Sequence, residues 1–232
     1  MNKLALLLSS IIILASCQKS EINPLKFEHP DWVRLEIPGG REAYSIVGDI
    51  DKELLVAADT RIYYSNDGGK NWTISADFST LNMTLQDLKD TVFVYTATHS
   101  IDEKTYGSIC EYYSIDFGKT WNRYVFDFTN RNHLKGFAES VSGTSYHIKN
   151  SCTADTSFKP CYVRPSILEK HNGYQWDIMD FPQTHLFHDL HLDTRNRLYL
   201  CASSGEITEQ NRVQGTNIGD PAFVYVSRKE LP

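Results

Sequence analysis

His185, His188, Asp189, His191 and Asp193 fall within nine residues and supply the side-chain types most used in metal ligation and proton transfer. On an extended strand side chains alternate between faces, so Asp189, His191 and Asp193 share one face and His188 takes the other. Two carboxylates and an imidazole on one face can hold a divalent ion. The spacing matches no fixed metal-ligand motif, and the competing reading has the two aspartates bonding turns while His191 fills the interior. Gly68 and Gly69 form no phosphate cradle, since no helix start follows them. No cofactor is expected.

The elements that would position these residues are strands. Residues 44–47, the turn of Gly48, Asp49 and Asp51, and residues 54–58 read as strand, acidic turn, strand; residues 188–192 and 198–202 repeat that layout around Asp193. Looser copies lie at 85–88 with 92–95 and at 137–141 with 145–148. Behind each pair comes a second signal. The run from Tyr63 through Ser65, Asp67, Gly69 and Trp72 recurs 49 residues later through Ser114, Asp116, Gly118 and Trp121, with matching flanks. A third copy keeps only Gly173 and Trp176, and a fourth begins at Phe223 to Ser227 before the chain stops. Box starts are 49, 55 and 58 residues apart, a period that suits four-stranded propeller blades. In such a turn the Asp accepts backbone N–H groups, the Gly takes a positive φ and the Trp packs inward.

Both full copies fit S-x-D-x-G-x-x-W, and the pattern resembles the Asp-box, or bacterial neuraminidase repeat, of β-propeller proteins. The resemblance implies an all-β fold, a small β-propeller of four blades, with the box residues as turn formers at the blade periphery. Outer strands follow each Trp at 72–76, 121–126 and 176–179. The last blade lacks one, and residues 32–37 near the other end look like it, so the ring is expected to close through the amino-terminal strand; a partial ring, or one completed in a dimer, is the alternative.

Residues 1–16 carry Lys3 and then an apolar run too short to span a bilayer, which reads as a signal peptide. Leu14, Ala15, Ser16 and Cys17 resemble the lipobox of bacterial lipoproteins, which implies acylation at Cys17, a tether over 17–26, and a propeller domain over 27–232. The expected location is the bacterial cell envelope, at the outer membrane, with contact to the membrane through the lipid anchor. That compartment permits oxidation, and Cys152 and Cys161 flank a polar loop they could close as a disulfide; Cys110 and Cys201 lie in apolar strand runs and read as buried thiols. The formal charge of −6 becomes about −7 once Lys3 is removed with the leader, a balance that does not seek nucleic acid.

Asp-boxes occur in sialidases and in many non-enzymatic propellers. A sialidase-like site implies three carboxylate-holding arginines, an acidic proton donor and a Tyr–Glu pair. Here Arg34 stands apart from Ile37 and Pro38, where that family has Arg, Ile and Pro together, and the other arginines do not recur at equivalent blade positions. The resulting expectation is a non-catalytic binding or scaffold propeller for a protein or glycan partner. A reduced glycosidase, an envelope assembly factor and an immunity or inhibitor lipoprotein are the alternatives. Tyr106, Phe128, Arg131, His133 and Tyr174 are candidate loop contacts.

Overall fold

The computed structural model describes residues 27–102, 104–124, 133–153, 162–181, 184–207, 213–214 and 220–231. The chain opens with β1 (Trp32–Ile37). Blade 1 holds β2 (Ala43–Gly48), β3 (Leu54–Ala58), β4 (Arg61–Ser65) and β5 (Thr73–Asp77). Blade 2 holds β6 (Thr84–Leu88), β7 (Thr91–Ile101) and β8 (Lys104–Ser114), with two short pieces, β9 (Asn122–Arg123) and β10 (His133–Leu134), both paired to β8. Blade 3 holds β11 (Phe137–Glu139) and β12 (Ser145–Lys149), a side hairpin of β13 (Cys152–Thr153) and β14 (Tyr162–Val163), then β15 (Ile167–His171) and β16 (Trp176–Ile178). Blade 4 holds β17 (His185–Leu192), β18 (Leu198–Ile207) with β19 (Val213–Gln214) beside it, and β20 (Ala222–Ser227).

The sheets are antiparallel and form a four-bladed propeller. Its closing strand is β1, which pairs with β20 from Trp32 opposite Ser227 to Ile37 opposite Ala222. The fourth outer strand therefore comes from the far end of the chain, as the incomplete fourth repeat implies. Trp32, Leu35 and Ile37 are buried, and each such side chain contributes roughly 1.5–3 kcal/mol by leaving water. Antiparallel order places the turns that join first to second and third to fourth strands at one end of the ring, and the remaining connections at the other. These are called the turn end and the crossover end; the residues that lead into β1 and out of β20 lie at the turn end.

Three seams between blades are filled by shared apolar clusters. Leu35, Val224 and Tyr199 meet Ile46, Val56 and Tyr63 between blades 4 and 1. Val47, Leu55 and Ile62 meet Met83, Leu85 and Val94 between blades 1 and 2. Tyr146, Ile148 and Leu168 meet Phe187, Leu200 and Tyr225 between blades 3 and 4. The fourth cluster, Phe93, Tyr95 and Cys110 with Tyr113 and Tyr124, draws only on blade 2.

The inner strands and the acidic turns lie where their alternation places them. Among the described residues the outer strand of blade 2 is β9, with Tyr124 turned onto Phe93 and Tyr113, and residues 125 and 126 of the expected run lie outside the described residues. One expectation needs correction. Trp176 does not pack inward: it is 43% exposed, because no strand of the preceding blade covers it among the described residues. Cys110 and Cys201 are buried. The leader, Cys17, Cys161, Phe128 and Arg131 lie outside the described residues.

Candidate functional site

The innermost strands meet at the propeller axis, and one hydrogen-bond chain joins all four. Asp189 of β17 accepts from the Ser45 hydroxyl of β2 at 2.6 Å through Oδ2, and from the Gly136 N–H at 2.8 Å and its neighbour Leu190 N–H at 3.0 Å through Oδ1. Ser45 Oγ in turn accepts from the Leu85 N–H of β6 at 3.1 Å. Gly136, just before β11, holds φ at +66°, a left-handed conformation that costs glycine little. A buried carboxylate saturated with donors in this way is strongly held, since each such bond contributes about 1.5–3 kcal/mol. Beside it lies the buried Lys135, whose Nζ donates to Asn82 Oδ1 at 3.2 Å. Burial lowers the pKa of Lys135 and the Asp189 charge opposes that shift; burial also pushes the Cys201 thiol up.

At the crossover end the mouth of the axis carries a second pair. The His188 ring N–H donates to Glu42 in a short hydrogen bond, and the Tyr44 ring meets His188 edge-on at 5.2 Å. Burial first, then the negative charges of Glu42 and Asp59, push the Tyr44 hydroxyl up to about 12, so it is a proton-bearing donor at neutral pH. At the turn end Arg197 binds three carboxylates: Nε to Asp193 at 2.6 Å, Nη2 to Asp49 at 2.6 Å and Nη1 to Asp51 at 2.9 Å. This fork locks blade 4 to blade 1. An open depression of about 470 Å³ lies beside it, lined by Val33, Ile50, Asn66, Lys70, Val226 and Arg228 among others.

The box residues occupy the turns between third and fourth strands. Asp67 Oδ1 accepts from the N–H groups of Lys70 and Asn71 at 3.1 and 3.0 Å, and Ser65 Oγ accepts from the Gly69 N–H at 3.0 Å. Asp116 and Ser114 act alike toward Thr120 and Gly118. The donated bonds, chiefly from Asn71 to Asp67 and from Thr120 to Asp116, hold both carboxyls down to about 2. The glycines also set how closely blades approach. A Cβ on Gly69 would meet Leu35 of β1 at 3.0 Å, and one on Gly118 would meet Leu55 at 2.7 Å, whereas one on Gly173 meets nothing within 4 Å. Trp121 Nε1 donates to Ser75 of the preceding blade at 2.8 Å; Trp72 packs against the apolar cluster between blades 4 and 1, and its Nε1 is buried without a partner.

The proposed metal ligands part company. Asp189 is spent on the axis, the His191 ring N–H donates to the Gly48 carbonyl at 2.9 Å, and Asp193 bonds Arg197 and the turn N–H groups of Arg195 and Arg197. From Asp189 to Leu192 the strand pairs with β18 in unbroken register, so the alternation holds, but each of the three side chains is already engaged by a different partner. Among the described residues no group of three His, Cys, Asp or Glu side chains is placed to hold a metal. Arg34 lies in the outer strand, paired with Glu36 at 2.6 Å and stacked on Phe223 at 4.6 Å, far from the axis. Sequence reasoning missed Ser45, Glu42, Lys135, Gly136 and Arg197; only Ser45, a lone hydroxyl inside the apolar run of β2, carried a signal.

No protein-family model matches the sequence, and no curated protein matches it. Among solved structures, the chain is similar to one described as YCF48 bound to D1 peptide, at 10% identity and a TM-score of 0.36 over 87% of this chain and 98% of that one. It is also similar to one described as the structure of YjhT, at 12% identity and a TM-score of 0.31 over 72% of this chain and 59% of that one. The propeller architecture itself stands on this chain's own strand register, and above all on the pairing of β1 with β20.

Proposed function

We propose that the protein is a lipid-anchored recognition propeller of the bacterial cell envelope, a rigid scaffold that holds a protein or glycan partner at its crossover end and carries out no chemistry of its own. The supporting observation is the position of the closing strand. Because β1 begins beside Ser227 at the turn end, a tether running back from Phe27 to an acylated Cys17 leaves from that end. The crossover end then faces away from the membrane. Ten tether residues at about 3.5 Å each reach roughly 35 Å, enough to clear a lipid surface. The Ser45–Asp189 chain closes the axis, so a partner would meet the rim around Glu42, Tyr44 and His188 rather than a through-channel. An assembly factor and an inhibitor lipoprotein are two forms of this reading. The glycosidase reading has less support, because Arg34 and Arg61 are each paired with a carboxylate of their own or a neighbouring strand at the periphery.

The test places a photo-crosslinking residue at Arg41 or Asp59, at the crossover end, or at Asn66 or Lys119, at the turn end, in cells that export the chain. Adducts are expected at the first pair only, in the membrane pellet, and the Cys17→Ser chain should move to the soluble fraction. Adducts confined to the second pair would reverse the orientation. A Cys17→Ser chain that still pellets would remove the anchor, and no adduct at any position would remove the recognition role.

A further inference from the structure

Two inner turns and two box turns of the ring are built alike, and one difference between them leaves room for a ligand. In the inner turns the Asp49 N–H donates to the Glu53 carbonyl at 2.9 Å and the Asp193 N–H to the Arg197 carbonyl at 3.2 Å. Each of these aspartates also accepts through Oδ1 from the N–H two residues on, Asp51 or Arg195, at 2.8 Å. Glu53 of blade 1 and Arg197 of blade 4 are therefore equivalent positions. The box turns match residue for residue, so Phe117 and Lys119 of blade 2 correspond to Gly68 and Lys70 of blade 1.

Between blades 1 and 2 the place where box turn meets inner turn is filled. The Phe117 ring packs against the seam cluster, so close that a Cβ on Gly48 would meet it at 2.9 Å, and Lys119 Nζ pairs with Glu53 at 3.4 Å. Between blades 4 and 1 both devices are missing. Gly68 brings no side chain, although a Cβ there would meet nothing nearer than the Ile50 carbonyl at 3.4 Å. The carboxylate that Lys119 meets is replaced, for Lys70, by the Arg197 guanidinium. The open depression of about 470 Å³ lies here, with Gly68, Lys70 and Arg197 in its lining. Val33, Ile50 and Val226 give it an apolar wall, and Arg228 a second exposed cation. Neither Lys70 nor Arg228 has a carboxylate partner among the described residues. The two carboxylates of the lining are engaged, Asp67 by the N–H groups of its own turn and Asp51 by Arg195 and Arg197.

We propose that this depression is a binding site for a small aromatic carboxylate. The ring takes the place that Phe117 fills one blade on, against the apolar wall, and the acid group takes the place of the Glu53 carboxylate, beside Lys70 and Arg228. The site is at the turn end, opposite the rim around Glu42, Tyr44 and His188, and does not depend on what that rim holds.

Calorimetric titration of the exported Cys17→Ser chain with 3-phenylpropionate tests this. Saturable binding is expected with a dissociation constant of about 1 mM or below, in keeping with so small a ligand. The alcohol 3-phenyl-1-propanol, which lacks the acid, and propionate, which lacks the ring, should each bind at least about tenfold more weakly. Lys70→Gln should raise the constant about tenfold, as loss of a charged hydrogen bond does, whereas Lys119→Gln, at the filled seam, should leave it unchanged. Gly68→Phe supplies the ring from the chain itself, at a backbone angle near the one Phe117 holds, φ +76° against +53°, and should abolish binding. A wild-type chain that shows no saturable binding up to about 10 mM overturns the proposal. So does equal affinity for the alcohol, or binding that Lys70→Gln and Gly68→Phe leave intact.

Discussion

Asp189 and His185 show how single buried groups constrain the ring. Replacing Asp189 by Ala leaves the Gly136 N–H and the Ser45 hydroxyl without their acceptor and Lys135 without its nearby negative charge. Breaking a buried charged network of this kind costs about 3–5 kcal/mol, so the urea midpoint should fall steeply. Asp189→Asn should cost less, because its amide still meets Ser45; equal midpoints for the two variants would show that the carboxylate does not tie the strands. The buried His185 donates through Nδ1 to the Gly205 carbonyl at 3.0 Å and accepts through Nε2 from the Tyr225 hydroxyl at 2.8 Å, an arrangement only the neutral ring satisfies. Burial lowers its pKa below the ordinary 6.5, and does the same for His191 and His133. The unfolded chain therefore binds protons near pH 6.5 that the folded chain refuses, so the stability these rings contribute is present above that pH and lost as pH falls below it. The melting temperature should hold from about pH 8 to 7 and drop between about pH 6.5 and 5. A flat profile across that window would mean the rings take up protons without breaking their bonds.

At the scale of elements, β1 is the strand on which closure depends. Trp32 sits in the cluster between blades 3 and 4, 5.0 Å edge-on from Phe181, while Leu35 and Ile37 fill the cluster between blades 4 and 1. Deleting residues 27–38 removes three buried side chains at roughly 1.5–3 kcal/mol each and bares the edge of β20, so the melting temperature should fall sharply. Deleting residues 18–24 should change little. Cysteines at Leu35 and Val224, which stand opposite each other in register, should form a disulfide within one chain. A stable long deletion whose parent forms no such link would mean that the ring is held by other contacts. This strand was legible in the sequence because the fourth repeat stops one strand short and residues 32–37 carry the apolar alternation it lacks. The inner strands were legible for the same reason, as alternation with acidic turns at a regular period. The axis was not. Ser45, Leu85, Gly136 and Asp189 look like ordinary strand and turn residues, and their bonds join positions 40, 53 and 144 apart, which no local pattern reports. The His and Asp cluster misled for the converse reason: neighbours in sequence, its members are each held by a distant partner, Asp189 by Ser45, His191 by the Gly48 carbonyl and Asp193 by Arg197.

For the whole molecule, the four seams are unequal. Three share an apolar core across the blades they join, and the seam between blades 2 and 3 has none among the described residues. Its covalent crossing runs through Lys135, whose N–H donates to the Thr105 carbonyl of blade 2 at 2.8 Å, and Gly136, whose carbonyl accepts from the Ile148 N–H of blade 3 at 2.8 Å. The described contacts of that crossing are polar, whereas the seam between blades 4 and 1 is clamped at the turn end by Arg197 as well as filled with apolar side chains.

The pairing of Trp32 with Ser227 also sets a clock. A ribosome working at about 5–20 residues per second makes these two positions, roughly 200 residues apart, some 10–40 seconds apart. Throughout that interval blade 4 is incomplete, and β1 has no β20 to pair with. Of the strand pairs among the described residues this one has the longest sequence separation, and such a topology folds slowly. A nascent chain stalled anywhere before β20 holds an unpartnered, aromatic amino-terminal segment, so the cell must keep that segment apart from its neighbours until synthesis ends.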